Sequence, residues 1–398
     1  MPLPTRFARV ATIVVALAAM IVPPAVAQQK PIVIGAALSL SGIFSDGGHY
    51  SLEGYQLWIK QQNAKGGLLG RQVELKYYDD QSDGATAVRL YRRLIDEDHV
   101  DLIVGPYGTA LSAPSANVAA QYKMPMILPE TADVAMFGRG NAFIVQGLGP
   151  VQTYLFGMLQ IAKDHGAKTI AVVGGDTAFP HSLANAVPEV ERGFGMSTVY
   201  QEFYPASASD LSSVVQKTRQ ANPDVLLAMA FPNDSVVLLR NMKQAGYAPK
   251  IFYEAIGPSD PQFEKNVGKD GEYVFTATNW NADNPSAENR AFITAYRAEF
   301  HREPDYHAAS NYSALMVIGA AVTKAGSLDQ QKINDNLHTM QVHTLLGEYR
   351  VNPRTGVQLG YTSFIAQWQK GHLTVVYPRN APGAKPAVVP FPAWSTPR

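Results

Sequence analysis

Asp79, Asp80 and Asp83 are the first residues of this chain whose types could do chemistry, because carboxylates set this close can hold a metal ion. They lack the glycine and closing glutamate of a calcium loop, and a strand-end acidic turn accounts for them. The nine histidines are scattered, with no His-x-x-x-His or His-Glu pair to seat a catalytic metal. No serine stands in a Gly-x-Ser-x-Gly elbow, and Gly174-Gly175-Asp176 has no phosphate-binding lysine after it. A nucleophile, base and orienter cannot be assembled from spacing, so no catalytic residue, metal or cofactor is expected. Binding fits better. The run Leu40-Ser41-Gly42-Ile43-Phe44-Ser45-Asp46-Gly47-Gly48 is rich in backbone N–H groups and hydroxyls and poor in fixed charge. Such a loop can hold a small polar ligand at the carboxyl edge of a sheet.

The elements around that loop follow from periodicity. Ile32 to Leu38 is a buried apolar strand. Leu52, Tyr55, Trp58 and Ile59 recur at helical spacing until Gly66-Gly67 stops the helix, and a second strand runs to Asp80. A helix marked by Ala85, Val88, Tyr91, Leu94 and Ile95 comes next, then a strand, Leu102 to Gly105, and another short one, Pro125 to Pro129. Alternation of strand and helix means a parallel sheet, whose loops leave by the same edge. From about residue 150 the pattern starts afresh, with strands expected at 170–174, 199–203, 225–230 and near Ile251 and Tyr273. Helices are expected at 152–163, 182–193, 210–220 and 234–245. Helices at 286–301 and 309–325 follow, then strands Leu345 to Val351, Thr362 to Trp368 and His372 to Tyr377.

At 398 residues the chain is too long for one ordinary core, which suggests two lobes. Residues 1–27 carry Arg6 and Arg9, an apolar stretch from Val10 to Val22 and then Ala25-Val26-Ala27, the pattern of a cleaved signal peptide. As a membrane anchor the stretch is short of the roughly 18 residues a spanning helix needs. There is no cysteine, so neither a lipid at the cleavage site nor a disulfide is available. Without Arg6 and Arg9 the 33 basic residues become 31 against 33 acidic, a formal charge of −2. A nucleic-acid partner is therefore not expected. The last twenty residues, 379–398, hold five prolines and no helical period, and are expected to be an extended or disordered tail.

Two stretches carry a family resemblance: LSGIFSDGGHYSLEGYQLWIKQQNAKGGLLGRQVELKYYDD and, after it, DLIVGPYGTALSAPSANVAAQYKMPMILP. Their order and spacing resemble the leucine/isoleucine/valine-binding branch of type I periplasmic substrate-binding proteins of ABC importers, over about Ile32 to Pro378. The resemblance implies an α/β fold of two doubly wound parallel-sheet lobes joined by three hinge crossings. These would lie near Gly147 to Pro150, near Asn279 to Asp283, and between about His343 and Pro353. The first lobe would be residues 31–148 plus 281–345, and the second 149–280 plus 346–378. It also implies a monomeric periplasmic protein without enzymatic activity, which delivers solute to a membrane permease.

The same resemblance suggests ligand residues. In the family the ligand's carboxylate is held by the loop after the strand ending Val-Gly, here Tyr107-Gly108-Thr109. A small hydroxyl residue at a helix N-terminus suits an anion, although Thr109 could simply cap its helix. The next loop departs from the family pattern, with Glu130 in place of a small residue and Ala132 in place of a hydroxyl, so Thr131 could serve only if the loop shifts. Glu130 either reaches an ammonium or amide, or turns outward as a solvated charge. Glu254 falls within one position of the acid that pairs the ligand's ammonium, or is a surface residue at a strand end. Phe179 and Phe231 stand where the family often has tyrosines, and Phe44, Tyr107 and Tyr253 could complete an aromatic wall; each could equally be core. A hydrophobic amino acid is the expected ligand, with an aromatic carboxylate or small amide as the alternative. A sensor that presents its closed state to a receptor remains open beside the importer role.

Overall fold

In the computed structural model, which describes Met1, residues 30–206 and residues 208–395, strand and helix alternate through two separate sheets. All of the expected signal peptide but Met1 lies outside the described residues. The first sheet has the order β2-β1-β3-β4-β5, every neighbouring pair parallel. Its strands are β1 (Ile32–Leu38), β2 (Val73–Asp79), β3 (Leu102–Val104), β4 (Met126–Leu128) and β5 (Ile144–Gln146). β1 is buried along nearly its whole length, as a strand covered on both faces must be. Helices α1 (Ser45–Ala64), α2 (Gly84–Asp96) and α3 (Gly108–Tyr122) connect these strands.

The second sheet has seven strands in the order β14-β13-β10-β9-β8-β6-β7. β6 (Thr169–Gly175), β7 (Ser197–Tyr204), β8 (Val225–Met229), β9 (Ile251–Glu254) and β10 (Phe275–Thr278) are parallel. β13 (Phe364–Gln369) and β14 (His372–Tyr377) close one edge antiparallel. The sheet is served by α4 (Thr153–Asp164), α5 (Ala178–Phe194), α6 (Ser212–Ala221), α7 (Pro232–Gln244) and the short α8 (Phe263–Val267). Two doubly wound lobes result, as expected.

α9 (Ala287–Phe300), α10 (Tyr306–Ala325) and α11 (Gln330–Thr339) return to the first lobe. α10 lies along α1, where Gly319 lets the Trp58 ring come so close that a Cβ would stand 2.7 Å from it. Two differences from the sequence reading matter. α10 begins at Tyr306 rather than 309, because Asp305 caps it by accepting the Ala308 N–H at 3.0 Å. In place of a strand from Leu345, a hairpin forms from β11 (Val342–Thr344) and β12 (Gly347–Tyr349).

That hairpin also moves the third crossing. Tyr349 and Val351 are buried in the first lobe's core, and the Gln358 N–H donates to Gln146 Oε1 on β5 at 3.1 Å. Residues 346–360 therefore stay with the first lobe, instead of opening the second as the sequence suggested. The chain crosses at 361–363, where it meets the other two connections. Tyr361 donates to the Gly147 carbonyl, the hydroxyls of Ser363 and Thr153 lie 3.0 Å apart, and Ser363 Oγ donates to Asn279 Oδ1 at 3.0 Å.

The proline-rich tail is extended and docked on the second lobe. The Phe391 N–H donates to the Lys250 carbonyl at 2.8 Å and the Trp394 indole to the Tyr247 carbonyl at 2.6 Å. The buried Phe391 ring packs edge-on against Phe252 at 5.7 Å.

Candidate ligand-binding cleft

The loop after β1 is held by the acidic turn after β2. Asp79 accepts from the N–H groups of Leu40 and Ser41 and from Ser41 Oγ, and Asp80 accepts from Ser39 Oγ at 2.7 Å. Asp83 caps α2 by accepting the Thr86 N–H at 2.7 Å. These carboxylates fix the backbone that swings Phe44 into the cleft between the lobes, with its ring centre 5.1 Å from Tyr107 and 5.3 Å from Phe231. Gly47 leaves room for another residue: a Cβ there would stand 2.8 Å from His307 Nε2.

The loop after β3 turns into α3 at Gly108, whose φ of +68° is the left-handed region that favours glycine. α3 has no side-chain cap, and Thr109, which is buried, makes no hydrogen bond through Oγ1. Its hydroxyl caps nothing. It lines the cleft beside the free N–H groups of the first helical turn. Thr131, by contrast, donates to Ser112 Oγ at 2.6 Å and sits behind the loop. The loop shift it would need to reach a ligand does not occur.

Glu130 is neither outward nor solvated. It is buried at the cleft wall, where Ser51 Oγ lies 2.8 Å from Oε2 while Oε1 makes no hydrogen bond. Burial pushes its pKa up to about 7, against the opposing pull of His307. His307 is buried too, which disfavours its charge, but the Asp305 carboxylate 2.5 Å from Nδ1 outweighs this and raises it to about 9. Its ring lies 5.3 Å from that of Tyr107 and 3.9 Å from that of Tyr306.

From the second lobe, Phe179 at the start of α5 and Phe231 before α7 face the cleft, their ring centres 6.2 Å apart. Tyr154 extends that wall, 5.8 Å from Phe179. Tyr253 does not reach it. Being on the strand face turned to α4, it is fully buried in the core and donates its hydroxyl to the Tyr154 carbonyl at 3.1 Å. Glu254 is fully buried rather than at the surface. Ser235 donates to its Oε2, Oε1 makes no hydrogen bond, and burial lifts its pKa to about 8, with Asp234 adding to the rise. It lies behind Asp234, which lines the cleft itself.

The cleft has two adjoining chambers that share Phe44, Tyr107, Thr177 and Phe231. The inner one holds Thr109, Glu130, Tyr154, Phe179 and Ile256, and the outer one Asp46, Asp234, Asp260, Asp305 and His307. Sequence reasoning missed Tyr154, Thr177, Asp234, Asp260, Asp305 and His307. The Pro304-Asp305 step before an Ala-rich run was a readable cap signal, and extending that helix back one turn would have exposed Asp305 and His307.

Comparisons with known proteins bear on the family and the fold. A family model described as "Periplasmic binding protein" matches residues 31–372. The Leu/Ile/Val-binding protein homolog 8 of Brucella abortus (strain 2308) is 26% identical over 400 residues, covering 94% of this chain and 96% of that protein. Among solved structures, the branched-chain amino acid substrate-binding protein LivJ of Streptococcus pneumoniae, in complex with isoleucine, has a TM-score of 0.79 at 20% identity, covering 91% of this chain and 100% of that one. A solute-binding protein of R. palustris in complex with benzoate has a TM-score of 0.79 at 16% identity, covering 90% of this chain and 99% of the other.

Proposed function

The chain belongs to the periplasmic binding protein family, and from that premise we propose that it captures a small carboxylate between its two lobes and delivers it to an ABC importer. The ligand is a hydrophobic amino acid or a related carboxylate, and the protein binds it without turning it over. It works as an exported monomer in the periplasm, and the permease of the inner membrane reads its closed shape. The observation that carries this reading is Thr109: a buried hydroxyl without a partner, at the uncapped N-terminus of a helix of 15 residues, facing a cleft that the second lobe closes with aromatic rings. A carboxylate would receive that hydroxyl, the adjacent N–H groups and the positive end of the helix dipole.

Phe44, Phe179, Phe231 and Ile256 would cover the apolar part of the ligand, and Glu130 stands where an ammonium or amide group would reach it. The phenylalanine rings favour a second ligand class, aromatic carboxylates, as in the R. palustris neighbour that holds benzoate. Binding to both lobes would explain closure, since a ligand that bonds Thr109 and touches Phe179 stabilises only the arrangement that brings them together.

The test is a thermal-shift panel of amino acids, aromatic acids and amides on protein stripped by unfolding and refolding. A ligand at a hundredfold its dissociation constant should add about 2.7 kcal/mol of stability. Stabilisation by at least one carboxylate is the expected result. Saturable turnover of amides or esters, or stabilisation confined to compounds without a carboxylate, would refute the reading.

A further inference from the structure

The charge of the cleft is at odds with a ligand that is only a carboxylate and an apolar side chain. Among the residues lining the two chambers, five are acidic (Asp46, Glu130, Asp234, Asp260, Asp305), and none is lysine or arginine. His307 is the single basic residue there, and Asp305 is paired with it at 2.5 Å. At the mouth, Asp46 and Asp260 continue into a third chamber with Glu53 and Arg302, and that arginine is already spent on Glu53 at 2.7 Å and on the Tyr50 ring at 3.8 Å. Asp46, Asp234, Asp260 and Asp305 therefore outnumber the one cationic side chain of the outer chamber, His307, which is paired with Asp305. Phe44, Tyr107 and Phe231 line the same chamber.

Carboxylates beside aromatic rings in a closed site are unfavourable unless a cation joins them. Asp234 is buried and Asp260 partly so, and such charges lose hydration that only an opposite charge replaces, while Asp46 stands exposed at the mouth. The faces of the rings attract a cation as well. Burial accordingly raises the pKa of both Asp234 and Asp260; at Asp260 the Asp305 charge adds to the rise, while the Gln262 N–H and His307 oppose it. A leucine side chain in the outer chamber would contact the rings and leave the carboxylates unpaired. Thr109 Oγ1 and Glu130 Oε1, buried without a partner, mark where the other end of the ligand belongs, in the inner chamber, and the unpartnered Thr177 Oγ1 stands where the two chambers join.

We propose that the ligand carries an ammonium or guanidinium group set apart from its carboxylate, and that this group occupies the outer chamber between the rings of Phe44, Tyr107 and Phe231 and the carboxylates of Asp46, Asp234 and Asp260. The proposal rests on the solute-binding reading above, keeps its carboxylate, and puts a ligand with a distal cation in place of the plain hydrophobic amino acid or aromatic acid. The acidic mouth would draw such a ligand in and turn plain anions away.

Isothermal titration of the stripped protein with leucine, benzoate, lysine, arginine and 5-aminopentanoate tests it. At least one of the compounds with a distal cation should bind tenfold or more tightly than leucine, and benzoate should bind weakly. In Asp234→Asn and Asp260→Asn the ratio of that compound's affinity to leucine's should fall at least threefold. A ratio taken within one variant is insensitive to the fraction that folds. Leucine or benzoate binding as well as every distal cation, or ratios unchanged in both variants, would overturn the proposal and leave the solute-binding reading standing. No binding by lysine, arginine or 5-aminopentanoate would likewise overturn the proposal, while the solute-binding reading stands or falls on the broader panel.

Discussion

Replacing Thr109 by valine separates a ligand-binding role from a structural one, because the two demand changes of opposite sign. Valine keeps the shape and removes one hydroxyl. In the ligand-free protein that hydroxyl is buried without a partner. Leaving a polar group so costs about 1 to 3 kcal/mol in a dry site, and less where the cleft admits water. Its removal should therefore stabilise the empty protein by about 0.5 to 1 kcal/mol. For lobes of this size that is a rise in melting temperature of roughly 1 to 4 °C. In the complex the same substitution deletes a hydrogen bond to a charged group, worth about 1.5 to 3 kcal/mol, or roughly a 10- to 150-fold loss of affinity. Calorimetric melting of the empty protein and titration with a stabilising carboxylate give the two numbers. A variant that melts lower and binds as well as the wild type would show that Thr109 supports the helix and not a ligand.

Further outcomes follow from the buried groups. Glu130 titrates near 7 when folded against an ordinary 4.5, so between those values the folded protein holds a proton that the unfolded chain has released. Stability should fall as pH rises through that window, by about 3 kcal/mol in all, and Glu130→Gln should flatten the slope in denaturant titrations. His307, raised to about 9, contributes stability that is full below 6.5 and lost as pH rises through 9, so the alkaline decline should persist in that variant. An ammonium group arriving beside Glu130 favours its ionised form, so binding near pH 7 should release a proton, visible as a binding enthalpy that depends on the buffer; proton uptake would contradict the role given to Glu130. Phe391→Ala should destabilise the second lobe by about 2 to 4 kcal/mol in chemical denaturation, since its ring is buried against Phe252. A loss within error would mean that the tail is only loosely held.

The lobes were legible because the central strands, such as β1, β3, β6 and β8, are short apolar runs and α2 and α5 are amphipathic, so local pattern and final position coincide. α11 was not. Its sequence, QQKINDNLHT, buries a hydrophobic pair, Ile333 and Leu337, a stripe too narrow to stand out among polar residues. The third crossing was misplaced for a related reason. The crossing was expected between about His343 and Pro353, but Gly356 and Gln358 beyond it bond to Gln146 on β5, some two hundred residues earlier in the chain, which keeps this stretch on the first lobe. The cleft follows the same logic. The hydroxyl loop at Thr109 was reached through the family resemblance, which rests on a contiguous stretch of sequence. The pairing of Asp305 with His307 beside Tyr107, and the burial of Glu130 behind Ser51, depend on α10 and α1 meeting over the sheet edge. Tyr253 shows the converse, a residue adjacent to Glu254 in sequence whose side chain leaves the opposite face of the strand.

A crystal structure of the protein with a stabilising carboxylate bound tests the central claim most directly. A carboxylate oxygen should lie within hydrogen-bond reach of Thr109 Oγ1, roughly 2.5 to 3.0 Å, with the rest of the ligand against Phe44, Phe179 and Phe231. A ligand seated outside the cleft, or one whose carboxylate bonds to the second lobe and leaves Thr109 unpartnered, would contradict it.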